Sequence, residues 1–428
     1  MFRAVGLLLL AAAVSRADDV SPQILRQIRL KVSEQLKGAA NYSCVQTIDR
    51  TYFRPVRYQA FGCEHQPADN KRKEIMHDRL RLDIAVSEGH EIYSWHGGTS
   101  FSSAGIADLV HSGPINSGSF VGYLENIFLG SGIRFEYVGE TRMNGIDAYQ
   151  FNYSVPLEAS HHEISGKDSN GVPVPFHGNF FANLQTFELV SLQVIVDEVP
   201  PDVEICRAEV EMNYGTAKIS GHDSLIPQMF SLNIEDASHL TTSSRSEYNE
   251  CREFRGESTL HFEMTENAEQ KADTSLISSR AFLPAGVPLH VRLITPITEA
   301  STFTGDPVKG ELLDPIHVKG KTNQVIPKGA VLAGIVTRLE RRDEPSKHFL
   351  YSIEFHRLQF GNESIALNAH PKPSKDSAKQ LTTVYGRFPS WLDLEYRSGI
   401  FVSLSSKLQI DQHFSSFWET VTAPVEVH

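Results

Sequence analysis

Three short clusters in this 428-residue chain have residue types that could do chemistry. His161-His162-Glu163 sets two imidazoles beside a carboxylate, the donor set of a zinc site. A helical zinc-protease motif needs its histidines four apart on one helix face. Adjacent histidines in a strand point to opposite faces, so this trio does not make that motif. His96, His177, His222 and His261 are scattered among strand-like segments without ligand spacing. Gly118-Ser119-Phe120-Val121-Gly122 resembles a nucleophile elbow, but the second glycine must fall two residues after the serine. Ser119 is better read as a cap on a short helix within Ser119 to Leu129. Asp197-Glu198 precede Pro200-Pro201 in a turn. Sugar cleavage needs two carboxylates facing across a cleft, and among 52 acidic residues an adjacent pair reads as a solvated face. No glycine-rich phosphate loop is present. We assign no catalytic residue, metal ligand or cofactor from sequence.

Binding chemistry has better candidates. Trp95, Tyr149, Phe151 and Tyr153 lie in strand-like runs, as do Tyr137, Phe180-Phe181 and Phe187. In a flat sheet these rings are core; in a sheet curled into a half-barrel some of them line a cavity for an apolar ligand. Asn41-Tyr42-Ser43, Asn152-Tyr153-Ser154 and Asn362-Glu363-Ser364 match the N-glycosylation acceptor, which matters only on a eukaryotic secretory route.

The elements that must position these residues begin with a secretory signal over 1–17. Arg3 is followed by an apolar run from Val5 to Val14, too short to span a bilayer, and then by Ser15-Arg16-Ala17 as the cleavage site. Export favours disulfides among Cys44, Cys63, Cys206 and Cys251. Four cysteines allow three connectivities, and the expectation is Cys44–Cys63 and Cys206–Cys251, a short local loop and a strand-to-strand bridge. Ser21-Pro22 opens a helix whose face carries Ile24, Ile28, Val32 and Leu36, and Gly38 ends it.

The hydrophobic period then becomes two, over Leu80–Val86, Tyr149–Val155, Val190–Val196 and Cys206–Tyr214. Asn144-Gly145 before Tyr149 is a strong hairpin signal, because both turn residues must accept positive φ. The reading is mainly β: a leading helix and a curled antiparallel half-barrel over 18–265, a polar linker over 266–280, and a small β-barrel over 281–428 with a C-terminal extension. The barrel rests on an internal echo at an offset of 43 residues. Phe282-Leu283-Pro284-Ala285-Gly286 and Val325-Ile326-Pro327-Lys328-Gly329 each form a Pro-x-Gly bend before a strand, the corresponding corners of one barrel. His370 to Lys379 reads as a loop.

Charge is lopsided. Residues 18–278 hold 21 basic and 37 acidic side chains, and residues 279–428 hold 17 and 15. That argues against nucleic acid and against docking on an anionic lipid surface. No run after the signal is long enough for a transmembrane helix.

Specific stretches of the first part resemble a group of uncharacterised exported bacterial proteins that are in turn similar to outer-membrane lipoprotein carrier and sorting proteins. They are Asn41-Tyr42-Ser43-Cys44-Val45-Gln46-Thr47-Ile48, Arg79 to Val86 with Glu91-Ile92-Tyr93-Ser94-Trp95, Tyr137-Val138-Gly139-Glu140 before Asn144-Gly145, and Cys251-Arg252-Glu253-Phe254. Val325 to Gly329 is similar to the TrbI-like β-barrel. The first resemblance implies a periplasmic, non-enzymatic carrier of a lipid or other apolar ligand. The alternatives are an envelope assembly protein that binds a protein partner through its C-terminal barrel, and a secreted hydrolase with a dispersed site.

Overall fold

The computed structural model describes residues 17–37, 42–57, 60–64, 71–87, 90–98, 101, 105–110, 113–115, 121–166, 171–219, 221–253, 282–318, 324–372, 374–387 and 399–422. The signal over 1–16, the linker 266–280, Ser119, His261 and Asn41 lie outside them. The protein is mainly β, with one helix leading and a curled antiparallel sheet behind it. It divides into two compact units, neither continuous in sequence. The first holds residues 17–37, 121–203 and 207–230, and the second holds 42–115, 204–206 and the chain from 231 on.

In the first unit, the helix Ala17–Lys37 starts four residues before Ser21 and runs through Pro22. Ile24, Ile28 and Val32 are its buried stripe. Arg29 donates to the carbonyls of Phe128 and Gly130, anchoring the helix to the turn Glu125–Leu129. Strands Arg134–Met143 and Ile146–Val155 form the expected hairpin, with Met143 opposite Ile146. Asn144 (φ 52°) and Gly145 (φ 80°) make the two-residue turn, both in the left-handed region a tight right-twisted hairpin needs. The sheet continues antiparallel through Phe176–Asn183, Leu189–Val196 and the Arg207 side of Ile205–Ile219. Alternation gives it one dry face. Phe151, Phe180, Leu192, Val194 and Met212 are almost wholly buried there. Phe151 stacks on Phe180 at 5.2 Å and Phe128 meets Phe180 edge-on at 5.0 Å.

In the second unit, Thr241–Glu253, Tyr42–Pro55, Arg72–Ser87 and His90–Trp95 pair antiparallel in that spatial order. Beside them six strands close on themselves. Pro288–Leu293 pairs with Pro307–Leu312, then come Val331–Arg342, His348–Phe360, Glu363–Pro371 and Ser415–Val421, which returns to Pro288–Leu293. Closure removes the open sheet edges that invite aggregation. The interior is filled by Leu289, Val291, Leu332, Ile353, Phe355 and Trp418 among others. The two Pro-x-Gly bends are equivalent corners. Gly286 (φ 85°) and Gly329 (φ 87°) turn the chain into two barrel strands that flank Pro307–Leu312, with Leu283 and Ile326 buried before the bend and Leu289 and Leu332 after it.

The barrel joins the neighbouring sheet through Glu340–Arg342 paired with Asp78–Met76. Phe303 also lies between the guanidinium groups of Arg79 (3.8 Å) and Arg81 (4.0 Å). Beneath this seam, Arg50 makes a bidentate ion pair with Asp78 at 2.8 and 2.5 Å, both nearly fully buried. The stretch His370–Lys379 is a correction to the sequence reading, because Lys375–Tyr385 is helical. Ser374 accepts from the Asp376 N–H, Gly386 (φ 73°) terminates the helix, and Leu381 packs on Leu350, Ile400 and Val402.

The disulfides correct the expected connectivity. All four cysteines are bonded, but as Cys44–Cys251 and Cys63–Cys206. Cys44 sits near the start of a strand that runs on to Pro55. Eleven extended residues carry the chain roughly 36 Å away, and the eight residues from Pro55 to Cys63 span at most about 29 Å. A Cys44–Cys63 bond would therefore need all eight residues drawn out straight along the strand, whereas Phe61–Glu64 is a bend and turn. Cys44 instead meets the strand Thr241–Glu253, which pairs with its own. Two bonds of this kind belong to an oxidising environment.

Candidate functional site

A cleft of about 1110 Å³ opens on the wet face of the first unit's sheet. Its floor comes from alternate residues of three adjacent strands: Asn152 and Ser154, then His177 and Asn179, then Gln193 and Ile195. Its walls come from the connections. Pro156 and Leu157 follow one strand, Pro173 and Pro175 precede the next, and Val199 and Pro200 follow the third. Four of these wall residues are prolines, which present apolar rings, hold φ fixed and carry no backbone N–H needing a partner. The walls are thus apolar, stiff and poor in donors. Leu157 stands 52% exposed at the rim.

The floor is polar and ordered. Asn179 Nδ2 donates to Gln193 Oε1 at 2.6 Å, and Gln193 Nε2 donates to Glu209 Oε1 at 2.7 Å. The direction follows from the end of the ladder. A carboxylate only accepts, so Gln193 must turn its NH₂ to Glu209 and its oxygen to Asn179. Arg207 ties the far side, 3.5 Å from Glu209 and 3.7 Å from Asp197. Gly178 and Tyr153 make the underside possible. The Tyr153 ring crosses the strand where Gly178 has no side chain, and its hydroxyl donates to the Gln193 carbonyl at 2.7 Å. A Cβ on Gly178 would fall 2.0 Å from that same carbonyl oxygen. Behind the cleft, His162 is half-buried against Tyr123 (5.2 Å) and Phe176 (5.7 Å). Burial alone pulls its pKa down to about 4.

Ser154 and His177 are opposite each other in register, and His177 Nδ1 lies 3.9 Å from Asp197 Oδ1. These are the residue types of a nucleophile, a base and an orienting carboxylate. Their geometry is not that of a relay. A separation of 3.9 Å exceeds a hydrogen bond, the histidine and aspartate side chains are 46% and 42% exposed, and no hydrogen bond joins Ser154 to His177 among the described contacts. Asp197 and Glu198 both line the cleft, in the connection that follows one strand. Among the described residues no three His, Cys, Asp or Glu side chains converge to hold a metal ion.

The four aromatic residues offered as cavity lining separate. Tyr153 borders the cleft from below. Phe151 lies in the closed core stacked on Phe180, and Tyr149 stacks on Phe187 at 6.0 Å. Trp95 belongs to the second unit, packed against the backbone of Gly305. The residues that build the cleft were not singled out from sequence, apart from Tyr153, His177, Asp197 and Glu198 and the Asn152 acceptor motif. Asn152 and Asn179 carried a readable signal, since each is a polar residue on the outward side of an alternating strand. Asn362 occupies the exposed two-residue turn between His348–Phe360 and Glu363–Pro371.

The fold is thus a mainly β protein with a leading helix, a curled antiparallel sheet and a six-stranded barrel. No protein-family profile matches the chain, and no curated protein does. Three solved structures show a weak likeness over about half of it. A DUF1329 family protein from Desulfovibrio piger is 8% identical, with a TM-score of 0.27, over 55% of this chain and 94% of that one. A domain named for outer membrane lipoprotein sorting, from Vibrio parahaemolyticus, is 8% identical at 0.27, over 56% and 95%. The Mycobacterium tuberculosis lipoprotein LppX is 12% identical at 0.21, over 55% and 98%. At those scores the likeness carries no argument about function. Among the described residues no helix is long and apolar enough to cross a membrane.

Proposed function

We propose that this chain is an exported, non-enzymatic binding protein of the bacterial periplasm, and that the cleft of its first unit holds an amphipathic, lipid-sized ligand. The cleft itself carries the reading: about 1110 Å³ with proline-rich apolar walls over a hydrogen-bonding floor. That volume is at the upper end for small-molecule sites. The apolar part of the ligand lies along Pro156, Leu157 and Pro175, and each Å² removed from water contributes about 25 cal/mol. The polar part meets the floor. The walls are stiff before the ligand arrives, so little ordering entropy is lost on binding. Release then needs only a better acceptor.

The aromatic dry face is not the binding surface in this reading, because Phe151, Phe180 and Leu192 are already filled against one another. Native mass spectrometry of protein taken from a periplasm without detergent tests the proposal. A lipid-sized adduct is expected in the wild type, and its loss in Leu157→Asp, whose side chain is exposed enough for the variant to fold. An adduct that survives in that variant puts the ligand elsewhere. A clean wild-type mass that also takes up no octyl-chain probe overturns the reading.

A further inference from the structure

We propose that the polar part of the ligand is an uncharged, polyhydroxylated headgroup, read by Asn152 and Asn179. The inference rests on the cleft being the ligand site. The amide ladder ends on Glu209 and so commits Asn179 Nδ2 to Gln193. That leaves Asn179 Oδ1 as an acceptor and one further Nδ2 hydrogen as a donor. Asn152 is its register partner on the neighbouring strand, exposed and with no hydrogen bond among the described contacts. The two carboxamides stand side by side, each presenting donor and acceptor to the cleft.

A hydroxyl both donates and accepts, so adjacent hydroxyls satisfy such a pair completely. A fully ionised phosphate or a carboxylate only accepts and leaves each amide oxygen unpaired. A quaternary ammonium can satisfy neither group. Charge points the same way. The lining carries Arg134 against Glu136, Asp197 and Glu198, an excess of acid that repels an anionic headgroup. Glu136 is directly opposite Asn152 on the neighbouring strand, so the acid stands beside the amide pair and disfavours an anion there.

The test uses three probes of equal chain length below their micelle concentrations: octyl β-glucoside, octyl phosphate and octyltrimethylammonium. Calorimetric titration of the full-length protein is expected to give the glucoside at least about tenfold tighter binding than either charged probe. Asn152→Leu should remove that advantage and leave the charged probes unchanged. Asn152 makes no described bond, so this variant keeps the fold, and Asn179→Leu is the second variant. Equal affinities, or preference for the phosphate or the ammonium, overturn the headgroup inference and leave the cleft reading standing. An advantage that survives both substitutions also overturns it. Failure of all three probes to bind overturns the cleft reading itself.

Discussion

At the residue scale, small features of the first unit have large effects. Gly178 is needed because Tyr153 crosses its strand and because the Gln193 carbonyl approaches closely. In Gly178→Ala the new Cβ would stand 2.0 Å from backbone oxygen and 3.1 Å from the Tyr153 hydroxyl. Neither neighbour is a free chain end, so the strand must shift. The expected loss is about 2–3 kcal/mol, read from the urea midpoint, and a neutral result would mean the strands are not locked by that contact. His162 gives the unit an acid response. Its folded pKa is depressed to about 4 by burial, while an unfolded histidine titrates near 6.5. Below 6.5 the unfolded chain binds a proton that the folded chain does not. Stability from this group is therefore complete above pH 6.5 and is lost as pH falls toward 4, by at most about 3 kcal/mol. Urea melts at pH 7 and pH 5 should show a smaller gap in His162→Phe than in the wild type, since a phenyl ring keeps the contacts with Tyr123 and Phe176. An unchanged gap would assign the acid response to other groups.

At the element scale, the barrel corners show how backbone and packing costs differ. Gly329 has φ of 87° and open space where a Cβ would go, whereas a Cβ on Gly334 would lie 2.0 Å from the Glu354 carbonyl oxygen. Gly329→Ala should cost about 1–2 kcal/mol, the left-handed penalty alone. Gly334→Ala should cost more, because two barrel strands must move apart. Denaturant titration of both variants checks the order, and equal losses would count against it. Hairpin and corner turns were legible in the sequence because Asn-Gly and Pro-x-Gly act through local φ. The helix Lys375–Tyr385 was missed because Pro371, Pro373 and the lysines looked like breakers. Its signals were Ser374 as cap and Leu381 as anchor, and the anchor matters only against Leu350 and Ile400, which lie elsewhere in the chain.

At the scale of the whole molecule, the disulfides close loops of 207 and 143 residues. Long loops give the largest constraint on the unfolded chain, so replacing either pair by serines should cost about 2–5 kcal/mol. Peptide mapping without reductant should link the Cys44 peptide to that of Cys251, and Cys63 to Cys206. A Cys44–Cys63 peptide would contradict the fold.

Local rules acting on the sequence alone determined the leading helical stripe, the alternating strands, the hairpin turn, the paired barrel corners and the presence of four disulfide-forming cysteines. Each depends on residues within a few positions of one another. The partner of each cysteine, the filling of the aromatic face by Phe151 and Phe180, and the cleft of Asn152, Asn179 and Gln193 were decided only in the tertiary structure. The reason is register. A strand's pattern states which residues share a face, but which strand lies beside it, and what covers that face, depends on chain segments outside that pattern, 14 residues away for Asn179 and Gln193 and 207 for Cys44 and Cys251.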